Sequence, residues 1–90
     1  MSLPVSRPIF HMMGLAHRID DYAKAGDILP KHVHLHFDHS MLVLKGSAKV
    51  TTSNGSRTYK EYDAALFRAG REHEIEALED GTVILNEMPG

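Results

Sequence analysis

The stretch His32-Val33-His34-Leu35-His36-Phe37-Asp38-His39 places four histidines in eight residues, and Ser40-Met41-Leu42-Val43-Leu44-Lys45-Gly46 follows it as an apolar run closed by a glycine. In a strand, successive side chains alternate faces, so a strand through the run would send His32, His34 and His36 to one side, where they converge on whatever lies there. A further histidine, His73, stands alone downstream. The pair Asn54-Gly55, a strong short hairpin signal, sets the apolar run in a β context. The histidines are therefore expected on a β scaffold and not on a helix.

Working outward, Val33 to Phe37, Met41 to Lys45, Ala48 to Ser53, Arg57 to Glu61, Ala64 to Arg68, His73 to Leu78 and Thr82 to Glu87 read as strands, with turn signals at Lys45-Gly46, Asn54-Gly55, Ala69-Gly70 and Asp80-Gly81. Upstream, Pro4 and Pro8 punctuate an N-terminal arm over residues 1–8, and Ile9 to Ile19 reads as one or two strands around Gly14. Asp20 to Ala25 has room for no more than a helical turn. Many short strands, glycine turns and no convincing helix predict one all-β domain over residues 1–90, a barrel or sandwich. From His73 the alternation His, Glu, Ile, Glu, Ala puts His73, Ile75 and Ala77 on an inner face and Glu74 and Glu76 outside. Met41 to Leu44 and Val83 to Leu85 are apolar on both faces, so a second surface should cover the outer one.

Composition narrows the classes. A 90-residue chain buries only roughly 60–65% of its unfolded surface and gains from a metal or a partner copy. The absence of cysteine excludes disulfides, thiolate zinc sites and cysteine nucleophiles. A net charge of −2 with scattered lysines and arginines does not suggest nucleic acid. No apolar run approaches the ~20 residues of a membrane helix, and Met1 to Pro8 lacks the apolar core of a signal peptide. A cytoplasmic small-molecule or interaction domain is the expectation.

From Gly26, five residues lead to His32, one separates it from His34, four lead to His39 and six to Gly46. This spacing resembles the first motif of the cupin superfamily, G-x5-H-x-H-x(3,4)-E-x6-G, with His39 where that family usually carries glutamate. The second motif, G-x5-P-x-G-x2-H-x3-N, is matched more loosely at Gly70 and His73. Tyr62, Arg68 and Ala77 stand in place of its opening glycine, its proline and its asparagine. The resemblance spans about Gly26 to Ala77 and implies a single jelly-roll barrel, a double-stranded β-helix. It also implies that His32, His34, His39 and His73 bind one divalent transition metal, from among Zn, Fe, Ni, Cu, Co and Mn. Neutral imidazoles suit all of these ions. His39 is an odd number of residues from His34, so a bend across Leu35 to Asp38 must reset the phase. A pairing of His34 with His36 is the competing register, and it breaks the motif spacing on both sides. His11 and His17 are expected to be structural or exposed.

Four neutral ligands would leave the full charge on the ion, which would attract an anionic molecule more strongly than a site with one carboxylate. The same exchange removes a possible internal base, leaving Asp38, Glu72, Glu74 and Glu76 as the nearby options. Two functions follow from the resemblance: a metal-dependent oxygenase-type or lyase enzyme acting on a small anionic or enolisable molecule, or a non-catalytic metal or small-molecule binding module. Many cupins dimerise through a sheet, which makes a homodimer the expected cover for the doubly apolar strands.

Overall fold

The computed structural model describes residues 1–89 as nine strands: β1 Val5–Met12, β2 Leu15–Tyr22, β3 Ile28–His32, β4 His39–Lys45, β5 Ser47–Thr52, β6 Gly55–Lys60, β7 Ala64–Phe67, β8 His73–Ala77 and β9 Thr82–Pro89. No helix occurs among the described residues, so none is long and apolar enough to cross a membrane. The strands form a five-stranded sheet in the order β1-β2-β9-β4-β7 and a four-stranded sheet in the order β3-β8-β5-β6. Every pairing is antiparallel. This is the jelly-roll barrel, or double-stranded β-helix, that the alternation of strands and turns predicts.

The core lies between the sheets because each central strand sends every second side chain inward. Met41 and Val43 of β4, Ile84 of β9 and Tyr22 of β2 meet Ala48 and Val50 of β5 and Ile75 and Ala77 of β8. β8 follows its predicted phase, with His73, Ile75 and Ala77 buried and Glu74 and Glu76 half-exposed. Burying a side chain such as Ile or Val contributes on the order of 1.5–3 kcal/mol, which makes these inward positions the main source of stability.

Several local expectations need correction. The arm at residues 1–8 is already strand from Val5 onward, because Val5 to Pro8 pair with Arg18 to Asp21. Pro8 is tolerated because β1 is an edge strand and its register shifts between Pro8 and Phe10. Asp20 to Tyr22 continue β2 and form no helical turn. The two-residue turn between β5 and β6 is Ser53-Asn54, since Thr52 pairs with Gly55, which takes the left-handed φ of 115°. The histidine run itself is not a strand: β3 ends at His32, and Val33 to Asp38 form an irregular bend that delivers His39 to the start of β4.

The second motif's missing glycine leaves a trace. Tyr62 occupies that position and still has φ 70°, with its amide donating to the Val43 carbonyl. A tyrosine held in this region stores strain that a glycine would not. Gly46, the closing glycine of the first motif, has both a positive φ of 80° and no room for a side chain: an added Cβ would stand 3.0 Å from the Thr82 Cα. Thr82 cannot yield easily, because its hydroxyl donates to the Ser47 and Glu79 carbonyls. Gly46→Ala is expected to cost about 2 kcal/mol or more, seen as a lower urea midpoint, and an unchanged midpoint would refute this account of the turn.

Candidate metal centre

Four of the seven histidines come from two separate segments into the barrel interior. His32 ends β3 and pairs with His73, the first residue of β8. His34 sits in the bend after β3, where the Gly70 amide donates to its carbonyl at 2.7 Å. His39 opens β4 opposite Phe67 of β7. His32, His34 and His73 each offer a ring nitrogen, and these nitrogens all lie within 4.8 Å of one another. The His39 ring centroid is 5.1 Å from that of His34 and 5.6 Å from that of His73. Phe67 stacks on His73 with centroids 4.1 Å apart and planes 8° apart, and Phe37 stacks on His34 at 4.8 Å, so aromatic walls fix two of the rings.

Hydrogen bonds decide which nitrogen of each ring carries the proton. A carbonyl oxygen only accepts, so His32 donates from Nδ1 to the Pro30 carbonyl at 2.8 Å, and His73 donates from Nδ1 to the Arg71 carbonyl at 3.2 Å. Each therefore presents a lone pair at Nε2. His39 is set by a longer chain. The Asp20 carboxylate only accepts, so it takes the Asn86 Nδ2 proton at 2.9 Å, which turns Asn86 Oδ1 toward His39. His39 then donates from Nε2 to that oxygen at 2.9 Å and keeps its lone pair on Nδ1. His34 Nε2, His39 Nδ1 and His73 Nε2 are buried and have no hydrogen-bond partner. Burying such groups unpartnered is costly, and a cation held with His32 would relieve the His34 and His73 nitrogens together.

The electrostatics agree with this arrangement. Burial pushes the His73 imidazole down to about 4, and His32 nearby adds to the effect. Burial likewise lowers His34, with His32 contributing, and lowers His39 against the opposing bond to Asn86. These rings are held neutral at physiological pH, which is the form that binds metal. His32, His34 and His73 fit a divalent transition metal by donor type and by the closeness of their nitrogens, whereas His39 stands beside them, outside that group of three. Metal–nitrogen bonds of about 2.0–2.1 Å would draw the nitrogens somewhat closer than they stand here.

His36 is exposed within the bend and lies outside the cluster. His11 is exposed, whereas His17 is buried on the outer face, stacked on Phe10 and 2.8 Å from the Glu87 carboxylate. The four carboxylates considered as bases are engaged or turned away. Asp38 accepts from the Ala69 amide and approaches Arg68; Glu72 approaches Lys31; Glu76 approaches Lys49; Glu74 shares the outward face of Glu76. The acid that does line the cavity beside His32, His34 and His39 is Asp20, together with Asn86. Sequence reading passed over both. A signal for Asn86 was present, since Thr82, Ile84 and Asn86 share the inward face of β9 and an amide at an inward phase asks for a partner.

A jelly-roll barrel with imidazoles converging on its interior is the class these features define, and solved structures place its architecture. KdgF from Halomonas sp. superposes with a TM-score of 0.86 at 19% identity over 93% of this chain and 76% of that one. A cupin-2 domain containing protein from Shewanella frigidimarina gives 0.83 at 17% over 96% and 80%. An uncharacterised protein with a double-stranded β-helix domain from Klebsiella pneumoniae gives 0.84 at 18% over 97% and 76%. The protein has the cupin fold. No family model and no curated sequence matches the chain.

Proposed function

We propose that the protein is a small metal-binding cupin in which His32, His34, His39 and His73 hold one divalent transition metal, and that it acts as an oxygenase-type or lyase enzyme on a small anionic or enolisable molecule. The observation that carries the metal reading is the set of buried imidazole nitrogens left without partners, with the tautomers of His39 and His73 set so that the lone pairs remain free. Bound there, the ion would supply Lewis acidity or redox chemistry at a position open to a ligand. The protein's own part is to fix the rings through Asn86, Asp20 and the Pro30 and Arg71 carbonyls.

A second reading, a non-catalytic metal or small-molecule binding module, is favoured by one observation. Asp20 lines the cavity but already accepts from Asn86, and none of Asp38, Glu72, Glu74 and Glu76 lines it, so no free carboxylate base is in evidence there. Metal analysis of protein purified without a histidine tag, with its absorption spectrum recorded under air, separates the readings. One equivalent of Fe, Cu, Ni or Mn would support redox chemistry, tightly held Zn would support Lewis-acid or structural roles, and no metal would remove the enzyme proposal.

A homodimer belongs to the same proposal. Its support is the outer face of the five-stranded sheet, where Ile19, Leu85 and Leu42 stand side by side on β2, β9 and β4 as a half-exposed apolar row. A second copy covering that row would remove it from water. Sedimentation at tens of micromolar should give a dimer, and a lone monomer would refute it. A cytoplasmic location fits a chain without cysteine.

A further inference from the structure

The cavity that His32, His34 and His39 open into measures about 230 Å³ and has one cationic side chain on its wall, Arg18. Arg18 lies on the inward phase of β2 with Asp20 and directly opposite Asn86 of β9, the residue that orients His39. Cross-strand partners have Cβ atoms about 4.5–5.5 Å apart, which brings the guanidinium within reach of the space in front of His39. Its one side-chain hydrogen bond runs from Nε to the Ser6 hydroxyl at 3.1 Å, and it pairs with no carboxylate among the described residues. Arg7 and Arg68, by contrast, each approach an aspartate on the surface. The terminal nitrogens of Arg18 therefore keep the planar fork that matches a carboxylate.

Part of the remaining wall is apolar. Leu3, Pro4, Leu29 and Met88 line it, and the N-terminal segment is clasped in place by Ser2, whose amide donates to Asp27 and whose carbonyl accepts from the Ile28 amide. A cavity below the roughly 300–1,000 Å³ of drug-sized sites, apolar on one side and cationic on the other, suits a short ligand with one acid group. Asp20 lines the same cavity, but its carboxylate accepts from the Asn86 amide and forms no ion pair with Arg18 among the described residues.

We infer that Arg18 is a specificity-determining residue that binds the carboxylate of a short-chain aliphatic acid while the acid's apolar body packs on Leu29 and Met88. The inference rests on the cavity being the ligand pocket of the proposed metal site, and it names the substrate class that pocket would take. The test titrates pentanoate and its neutral counterpart pentanamide into the full-length protein, with zinc and after dialysis against chelator, following the methyl resonances of Met88 and Leu29 by NMR. Pentanoate should bind at least tenfold more tightly than pentanamide in both forms, and more tightly still with zinc. Arg18→Gln should remove that tenfold preference without changing pentanamide binding, Arg18→Lys should keep part of it, and Arg57→Gln should keep all of it. Equal binding of the two probes by the unaltered protein, or a preference that survives Arg18→Gln, would overturn the inference. If zinc fails to bind but the preference and its loss in Arg18→Gln are seen, the inference stands and the metal reading falls.

Discussion

Alanine at His73 is expected to lower transition-metal affinity by at least about 100-fold, measured by competition with a chromophoric chelator. His73 is 1% exposed, its Nε2 has no partner, and Phe67 and the Arg71 carbonyl hold its ring in one orientation. Removal therefore deletes a positioned donor that no mobile neighbour can replace. The scale follows from the outer shell: groups that only orient ligands are worth about 10–100-fold, and a ligand itself should exceed them. Asn86→Ala should accordingly fall in that lower range, because His39 would lose the acceptor that fixes its tautomer while keeping its nitrogen. His36→Ala and His11→Ala should leave affinity unchanged, both side chains being exposed. Loss of binding in His36→Ala with binding retained in His32→Ala would mean that His34 and His36 are the paired ligands and that the bend rearranges on binding.

The strands from β4 onward were legible because their alternation is local: each inward apolar residue has an outward polar or half-exposed neighbour, as in β8. The double apolarity of Met41 to Leu44 was equally legible, with Met41 and Val43 buried and Leu42 and Leu44 half-exposed. The first strands were harder. β1 and β3 each contain a proline, Pro8 and Pro30, which reads as a break, and both strands escape that rule because they are sheet edges whose free side needs no donor. The conformation of the histidine run was illegible for a different reason. His34 is held by the Gly70 amide, a partner supplied by a distant loop, so periodicity within the run misreads a bend as a strand. The phase reset before His39 was legible, since no regular strand could bring His34 and His39 to one cluster. The relay Asp20–Asn86–His39 joins three strands that only the finished barrel makes neighbours.

Metal-free protein is expected to lose stability steeply as pH falls from about 6.5 toward 4, with His73 as the principal cause. In the unfolded chain the imidazole titrates at its ordinary 6.5, whereas burial in the barrel pushes it down to about 4. Between those values the unfolded chain binds a proton that the folded one refuses, so acid favours unfolding. The His73 contribution is fully present above about 6.5 and gone below about 4. At 1.36 kcal/mol per pH unit it amounts to about 3 kcal/mol. His34 and His39 are lowered by burial as well and act in the same direction. For a domain of this size, with a total stability of roughly 5–10 kcal/mol, that loss should bring unfolding within reach at pH 4–5. Bound metal opposes it, because the ion binds only the neutral rings and must be displaced before they protonate. Urea unfolding at pH 7 and pH 5 checks this directly: chelator-treated protein should lose most of the difference, and protein with saturating zinc should lose much less. His73→Gln, which removes the titrating group, should flatten the pH dependence of the metal-free form. Equal slopes for the chelated protein and His73→Gln would show that the buried imidazole is not what acid attacks.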